Sequence, residues 1–142
     1  IKAQEREQKS RTGLLDEIPL SLPALSRAAK LQKRAAGVGF DWSDALDVID
    51  KIEEEIAELR EAIEHKDASA IADEMGDLLF AQVNLARKLG VNPEQAVRST
   101  NAKFERRFRH IEAQVNAAGG DWGSFSLEQL DSWWRQAKQQ EA

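Results

Sequence analysis

The sequence predicts an all-α fold, an antiparallel bundle of helices joined by short connections. Apolar residues recur at steps of three and four through most of the chain, which is the spacing of one helix face. The chain has no alternating β-branched runs and no tyrosine, so nothing in it indicates a strand. Its 142 residues suffice for one domain with a modest core and are too few for two.

The chain opens with a polar stretch that we interpret as a linker. Residues 1–20 are polar and punctuated by Gly13 and Pro19. We therefore place a helical domain over residues 21–142. Its first helix starts near Pro23, and glycines from residue 37 onwards end it.

A single apolar stripe defines the second predicted helix. Ser43 is well suited to be its N-cap, because a serine oxygen can accept a hydrogen bond from a free backbone N–H. The stripe is expected to be buried and comprises Leu46, Ile49, Ile52, Ile56, Leu59 and Ile63.

Three further helices follow, and residues that begin or end a helix mark the bounds of each. The third follows the break "HKDAS" and ends at Gly90. Pro93 opens the fourth, which Gly119 and Gly120 close. The apolar stripe of the third helix is Ile71, Leu78, Leu85 and Leu89, and that of the fourth is Val97, Thr100, Phe104, Phe108, Ile111 and Val115. A capping-box pair begins the last helix at Ser126 and Gln129.

Composition excludes several classes of protein. The net charge of −5 argues against binding to nucleic acid backbones. The chain has no cysteine, so a disulfide framework, a thiolate zinc site and a cysteine nucleophile are ruled out. No apolar run approaches the length of about 20 residues that a membrane span needs, and no signal peptide is visible, so a cytoplasmic location is expected.

Two strips of acidic residues lie beside the apolar stripes of the second and third helices. At about 100° per residue, each strip falls at the margin of its helix's buried face. The strip on the second helix is Lys51, Glu55, Glu58 and Ala62, and the strip on the third is Glu74, Asp77, Ala81, Asn84 and Lys88. Carboxylates so placed are only partly solvated and repel one another, which raises their pKa values.

A hard divalent cation would remove this repulsion. Oxygen ligands alone favour magnesium or manganese over iron, and magnesium is often shared between carboxylates and substrate phosphates. Gly76 lowers helix propensity between Glu74 and Asp77, which suggests the close approach of another group there. The alternative is an ordinary solvated charged face, and for the second helix taken alone that interpretation is the stronger one.

These residues resemble a known family. Glu54-Glu55-x-x-Glu58 followed by Glu74-x-x-Asp77 is similar to the signature of the MazG-type all-α nucleoside triphosphate pyrophosphohydrolases. The segments "GDLLFAQVNLARKLG" and "NAKFERRFRHIE" extend the resemblance through nearly the whole chain. The polar opening resembles the segment before the second, catalytic half of two-domain MazG proteins, so we expect this chain to be that half.

The resemblance implies hydrolysis of a nucleoside triphosphate to the monophosphate and pyrophosphate, with magnesium, by a homodimer of the all-α type. A dimer is also expected because apolar residues such as Leu79 and Phe80 need cover. The implied metal ligands are Glu55, Glu58, Glu74 and Asp77. Glu54 lies about 100° off their strip and would activate water; if it points to solvent, the metal itself supplies that activation.

Cations on two helices suit the phosphates. Lys51 precedes Glu55 by one turn on the acid strip and could contact a metal-bound phosphate. Lys103 and Arg107 lie four residues apart on one face of the fourth helix. Each could be plain surface charge, and the resemblance favours phosphate binding.

The last helix offers an aromatic residue beside a cation. Trp134 and Lys138 are one turn apart, in a region that contacts nucleotide in the resembled family. An aromatic plane next to a cation could stack a base and hold a phosphate. Trp42, in "GFDW", is expected in the core instead.

Other assignments fit less well. There is no Gly-Lys-Ser/Thr loop, so the chain is no P-loop enzyme. Related all-α enzymes, the dimeric dUTPases and the phosphoribosyl-ATP pyrophosphohydrolases, share the acid strips but match "KFERRF" and "WWRQAK" less well. A non-catalytic helical interaction module, whose acids only solubilise it, is the alternative from another class.

Overall fold

The computed structural model describes residues 13–142, which form five α-helices and one 3₁₀ turn and contain no strand. The elements are α1 (Ala24–Ala36), α2 (Ala45–Glu64), α3 (Ala68–Lys88), α4 (Pro93–Ala117), the 3₁₀ turn (Trp122–Ser124) and α5 (Leu127–Gln140). The predicted all-α fold is confirmed. The predicted linker lies outside the described residues as far as residue 12.

The helix ends follow the predicted signals with one displacement. Pro93 opens α4, and the capping box of Ser126 and Gln129 opens α5, both as expected. The N-cap of α2 is Asp44 and not Ser43, because the Asp44 carboxylate accepts the hydrogen bond from the Asp47 N–H at 2.9 Å. Serine and aspartate are both good N-cap residues, so the sequence alone does not decide between Ser43 and Asp44.

The chain forms two compact units, the first ending at Glu94 and the second running from Gln95 to Ala142. In the first unit, α2 and α1 both pack against α3. The buried amide of Gln32 on α1 donates a hydrogen bond to the Phe80 carbonyl on α3 at 2.9 Å. Ahead of α1, Ile18 is buried, so this part of the predicted linker packs onto the unit.

A tight turn joins α2 to α3 and sets their register. Lys66 takes a positive φ of 52°, and the N–H of Asp67 bonds to the Ala62 carbonyl at 3.3 Å. The Asp67 carboxylate then caps α3 at Ala70. Glu58 lies eight residues before Lys66 and Glu74 eight residues after it, so a helical hairpin folded at this turn brings the two glutamates to the same level.

The apolar stripe predicted to be buried on α2 is largely exposed, which corrects the sequence-based expectation. Leu46 is 71% exposed, and Ile49, Ile56 and Ile63 are exposed as well. The residues that α2 buries are Val48, Glu55 and Ala62. The acid strip therefore faces α3, and Ile49, Ile56 and Ile63 face away from it, because the hairpin turn fixes which side of α2 meets its neighbour.

The second unit has a small aliphatic core, with mostly exposed aromatic rings that pack on one another beside it. Ile111 and Val115 are buried, as predicted for α4. Phe108 stacks on Trp122 with ring centroids 5.5 Å apart, and Phe104 lies 5.4 Å from Trp134. Val97 and Phe104, at the start of the same predicted stripe, are exposed.

No helix within residues 13–142 combines the length and the apolar character that crossing a membrane requires.

Val48 provides a test of the packing between α2 and its neighbours. Val48 is 1% exposed and Val38 is 63% exposed. Val48→Ala should lower the free energy of unfolding by about 2 kcal/mol, because it leaves a cavity, whereas Val38→Ala should change it by less than about 0.5 kcal/mol. Urea denaturation followed by circular dichroism measures both, and equal effects of the two variants would contradict this packing.

Candidate metal centre

Three of the four predicted metal ligands meet between α2 and α3. Carboxylate oxygens of Glu55, Glu58 and Glu74 all lie within 4.8 Å of one another. Glu55 is buried, and Glu74 is partly buried. The two helices place them because Glu55 and Glu58 are one turn apart on the side of α2 that faces α3.

Asp77, the fourth predicted ligand, belongs to an overlapping cluster. Its carboxylate lies within 4.8 Å of Asp73 and Glu74, so Glu74 is common to both groups. Asp77 also lines a cavity together with Glu55 and Lys51. Asp73 was not among the predicted ligands, although it directly precedes Glu74 in "ADEMGD" and lies one turn before Asp77.

Lys51 neutralises part of this negative charge. Its ammonium lies 3.0 Å from Glu55 Oε1 and 3.8 Å from Glu54 Oε2. The hydrogen bond to Glu55 and the charges of the surrounding glutamates raise the pKa of Lys51. Lys51 is therefore fixed as a cation on the acid strip.

The pKa values of Glu74 and Glu55 are shifted in opposite directions. Burial, followed by the hydrogen bonds and negative charges of Glu55 and Glu58, raises the pKa of Glu74 to about 7. Burial alone would raise the pKa of Glu55 too, but hydrogen bonds from Lys51 and Glu74 hold it below its usual value. Near neutral pH Glu74 is therefore partly protonated, and a cation bound at the cluster would displace that proton.

Two oxygens in the cluster lack partners. Within the described residues, Glu55 Oε2 and Glu74 Oε2 are buried and accept no hydrogen bond. A buried carboxylate oxygen without a donor is destabilising, and a cation coordinated at that position would remove the cost. The cluster, whose donors are all oxygens, fits a hard divalent cation.

Gly76 and Glu54 are two further predicted positions beside the cluster. A Cβ at Gly76 would meet nothing within 4 Å, so no group of the described chain approaches this glycine, contrary to expectation. Glu54, the predicted catalytic residue, has a side chain 59% exposed and lies beside Lys51. It is on the solvent side of the strip, as expected from its offset of about 100°.

Two of the four predicted nucleotide contacts in the second unit lie together. The Arg107 guanidinium lies 5.5 Å above the centre of the Trp134 ring. Arg107 Nε also donates to Glu141 at 2.9 Å, and Glu141 binds Arg106 at 2.6 Å as well. These hydrogen bonds lower the pKa of Glu141 to about 2. Nothing in the sequence pattern predicted this role for Glu141.

The other two predicted contacts of this unit are Lys103 and Lys138. Both side chains are exposed, Lys103 on α4 and Lys138 on α5. Each is therefore open to an anion from solution.

Trp42 is not a core residue, which corrects the expectation for "GFDW". It is exposed and lines a cavity of about 260 Å³ in the first unit. The loop before α2 holds it there. Asp41 in that loop binds Arg87 at 2.5 Å and Lys88 at 2.6 Å, and it accepts a hydrogen bond from the Trp42 N–H at 2.9 Å.

The fold and the cluster define a class, an all-α protein with a carboxylate cluster between two paired helices whose oxygen donors suit a divalent cation. Comparison with known proteins agrees. Residues 44–112 match the MazG nucleotide pyrophosphohydrolase domain. The chain belongs, through these residues, to the MazG nucleotide pyrophosphohydrolase family.

Curated relatives are similar over nearly the whole chain. The chain is 50% identical over 145 residues to the nucleoside triphosphate pyrophosphohydrolase of Escherichia coli (strain K12), covering 99% of this chain and 54% of that protein. It is 44% identical over 138 residues to the nucleoside triphosphate pyrophosphohydrolase/pyrophosphatase MazG of Thermotoga maritima, covering 97% and 52%. It is 46% identical over 142 residues to the uncharacterized protein YabN of Bacillus subtilis (strain 168), covering 99% and 29%. The chain thus spans about half the length of the first two relatives.

The raised pKa of Glu74 predicts a pH dependence for the metal-free protein. The pKa is about 7 in the folded chain against an ordinary value of 4.5, so the folded state binds more protons between these values. Its contribution to stability is present at low pH and is lost as the pH rises towards 7. In EDTA, the Tm of the wild type should fall between pH 5 and pH 8 relative to Glu74→Gln, which cannot ionise.

Thermal unfolding of both proteins at several pH values measures this difference. Groups other than Glu74 titrate in both proteins, so the comparison isolates the one carboxyl. Parallel curves for the two proteins would show that Glu74 ionises normally.

Proposed function

We propose that this chain hydrolyses nucleoside triphosphates to the monophosphate and pyrophosphate with a divalent cation as cofactor. The observation that carries the proposal is the Glu55, Glu58 and Glu74 cluster with its two unpartnered, buried oxygens. The Escherichia coli and Thermotoga maritima relatives are both named as nucleoside triphosphate pyrophosphohydrolases, which supports this reaction. In it, water adds across the anhydride bond between the α- and β-phosphates.

Magnesium is the proposed cation, with manganese as the alternative. Glu55, Glu58, Glu74 and Asp77 are its proposed ligands, and all four offer oxygen only. When bound, such an ion polarises phosphate oxygens and balances charge that develops as the anhydride breaks.

Residues of the first unit have further roles in this proposal. Lys51, held on the acid strip by Glu55, binds a phosphate oxygen and offsets its charge. Glu54 is the proposed general base, which takes a proton from the attacking water, and activation of that water by the metal ion is the alternative because Glu54 lies on the solvent side of the strip. Its exposure leaves its carboxylate open to water, and its nearest cation is Lys51 at 3.8 Å.

Residues of the second unit supply nucleotide contacts. Lys103 and Arg107 are proposed to bind phosphate, and Trp134 and Lys138 to contact the nucleotide. Support comes from the contact of Arg107 with Trp134, which gives a cation and an aromatic face in one place. A phosphate would have to replace Glu141 on Arg107, since the two are bonded at 2.9 Å.

A homodimer is proposed as the working form, in the cytoplasm and without nucleic acid as a partner. The support is the apolar face of the first unit, where large side chains of α2 and α3 remain exposed. They are Leu46, Ile49, Ile56, Ile63, Met75, Leu79 and Phe80. An exposed face of this kind is typical of a subunit interface.

The activity is tested by pyrophosphate release. With magnesium and ATP or a deoxynucleoside triphosphate, the chain should release pyrophosphate, and Glu55→Ala or Asp77→Ala should reduce the rate roughly 100-fold or more. Glu53→Ala is the matched control, because Glu53 is an exposed acid on the same helix. Ion chromatography of the products separates pyrophosphate from phosphate.

Two outcomes would decide against the proposal. If the wild type releases no pyrophosphate and its Tm does not change when magnesium and nucleotide are added, the chain is a helical interaction module. Activity confined to dUTP, or to phosphoribosyl-ATP, would assign it to one of the related all-α enzymes instead.

The proposed dimer has its own test. By light scattering, the wild type should have twice the chain mass of 15.9 kDa. Ile56→Glu puts a charge into the apolar face of α2 and should give the monomer mass. Ala57→Glu is the control for added charge, because Ala57 is exposed and lies about 100° around the helix. The same mass for both variants would place the interface elsewhere.

A further inference from the structure

A cavity of the first unit extends from the carboxylate cluster to an aromatic end. Its volume is about 260 Å³, less than that of most whole-ligand pockets. Lys51, Glu55 and Asp77 line it, and so do Trp42, Phe80 and Asn84. The cavity thus has one charged wall and one wall suited to an apolar ring.

Asn84 contributes a buried hydrogen-bond donor to this cavity. The residue is 1% exposed. Its Oδ1 accepts a hydrogen bond from Arg87 Nη2 at 2.7 Å, so that oxygen is already used. Its Nδ2 has no acceptor among the described residues. A buried donor without a partner is destabilising and is suited to a ligand that brings an acceptor.

The opposite side of the cavity is anchored through Asp41. Arg87 thus links two walls, because it binds both Asn84 and Asp41. The hydrogen bond from Arg87, aided by Lys88, lowers the pKa of Asp41 to about 2, so the anchor stays charged at neutral pH. Trp42 follows Asp41 directly and is held at the cavity by this network.

We propose that this cavity binds the base of the nucleotide, with Trp42 stacking on the ring and Asn84 Nδ2 donating to a ring nitrogen or carbonyl oxygen. The inference rests on the proposed function, since it presupposes a nucleotide at the carboxylate cluster. It makes Asn84 a specificity-determining residue, which reads an acceptor on the edge of the base.

The spacing along α3 agrees with this placement. Asp77 and Asn84 both line the cavity and are seven residues, about 10 Å, apart along the helix. If the phosphates are held near Asp77, the base therefore lies near Asn84. The aromatic wall offers a π-face that any base can use, whereas the amide donor distinguishes base edges.

The test compares ligands with and without a base. Calorimetric titrations with magnesium would use α,β-methylene analogues of ATP, CTP, GTP and UTP, and inorganic tripolyphosphate. Trp42→Ala should weaken the tightest-bound analogue about tenfold, at the low end of base stacking. Asn84→Asp keeps the oxygen for Arg87, replaces the donor by an acceptor, and should weaken that analogue about tenfold or more. Neither loss should extend to tripolyphosphate.

Phe40→Ala is the matched control, because Phe40 is an exposed aromatic in the same loop and does not line this cavity. It should bind all ligands like the wild type. Thermal unfolding checks that each variant folds. If the Asn84→Asp variant does not fold, Trp42→Ala alone tests the inference. Trp42 lies in an exposed loop, so its substitution should not prevent folding.

The inference is overturned if the variants lose tripolyphosphate and analogue affinity equally, or lose neither. It is also overturned if Trp134→Ala gives the base-dependent loss and Trp42→Ala does not. A wild type that binds neither class of ligand defeats the proposed function as well. A wild type that binds both classes equally defeats only the inference.

Discussion

The proximity of like charges between α2 and α3 is the constraint on which the first unit depends. Glu55, Glu58 and Glu74 lie within 4.8 Å of one another although they repel. The tight turn at Lys66 joins the two helices, which pack against each other, so the carboxylates cannot separate without loss of packing. The conflict is resolved inside the cluster, by Lys51 and by the proton on Glu74, or from outside by a cation.

Acidic residues elsewhere in the chain show the opposite arrangement. Asp41 and Glu141 each bind two cations, and both have pKa values near 2. Their positive partners are provided by the chain itself, so they serve as anchors. Among residues 13–142 no cation pairs with Glu74, and its pKa is raised to about 7 by burial and by the neighbouring carboxylates. A carboxyl group perturbed in this way is common at functional sites, and this agrees with the proposed cation site.

The sequence predicted the helices well, because periodicity and capping are local properties. It also selected Glu55, Glu58 and Glu74, since spacing along each helix fixes which acids share a side. It failed on which side of α2 meets α3, because Ile56 and Glu55 are adjacent and only the turn geometry decides between them. The positions of Trp42 and Glu141 were missed because they depend on contacts that are distant in sequence. Trp42 is held through Asp41 by Arg87, which is 45 residues further along the chain. Glu141 binds Arg107, which lies 34 residues before it.

The reversed orientation of α2 connects the site to assembly. A helix that buries Glu55 and exposes three of its four isoleucines gains little hydrophobic stabilisation from the hairpin alone. The proposed cation would stabilise the side of that helix that faces α3, and the proposed second copy would cover its exposed isoleucines. A cation or a partner that binds the folded hairpin and not the unfolded chain raises the stability of the hairpin by mass action. On this proposal the two would act on opposite sides of the same helix, and α2 would couple cation binding to assembly.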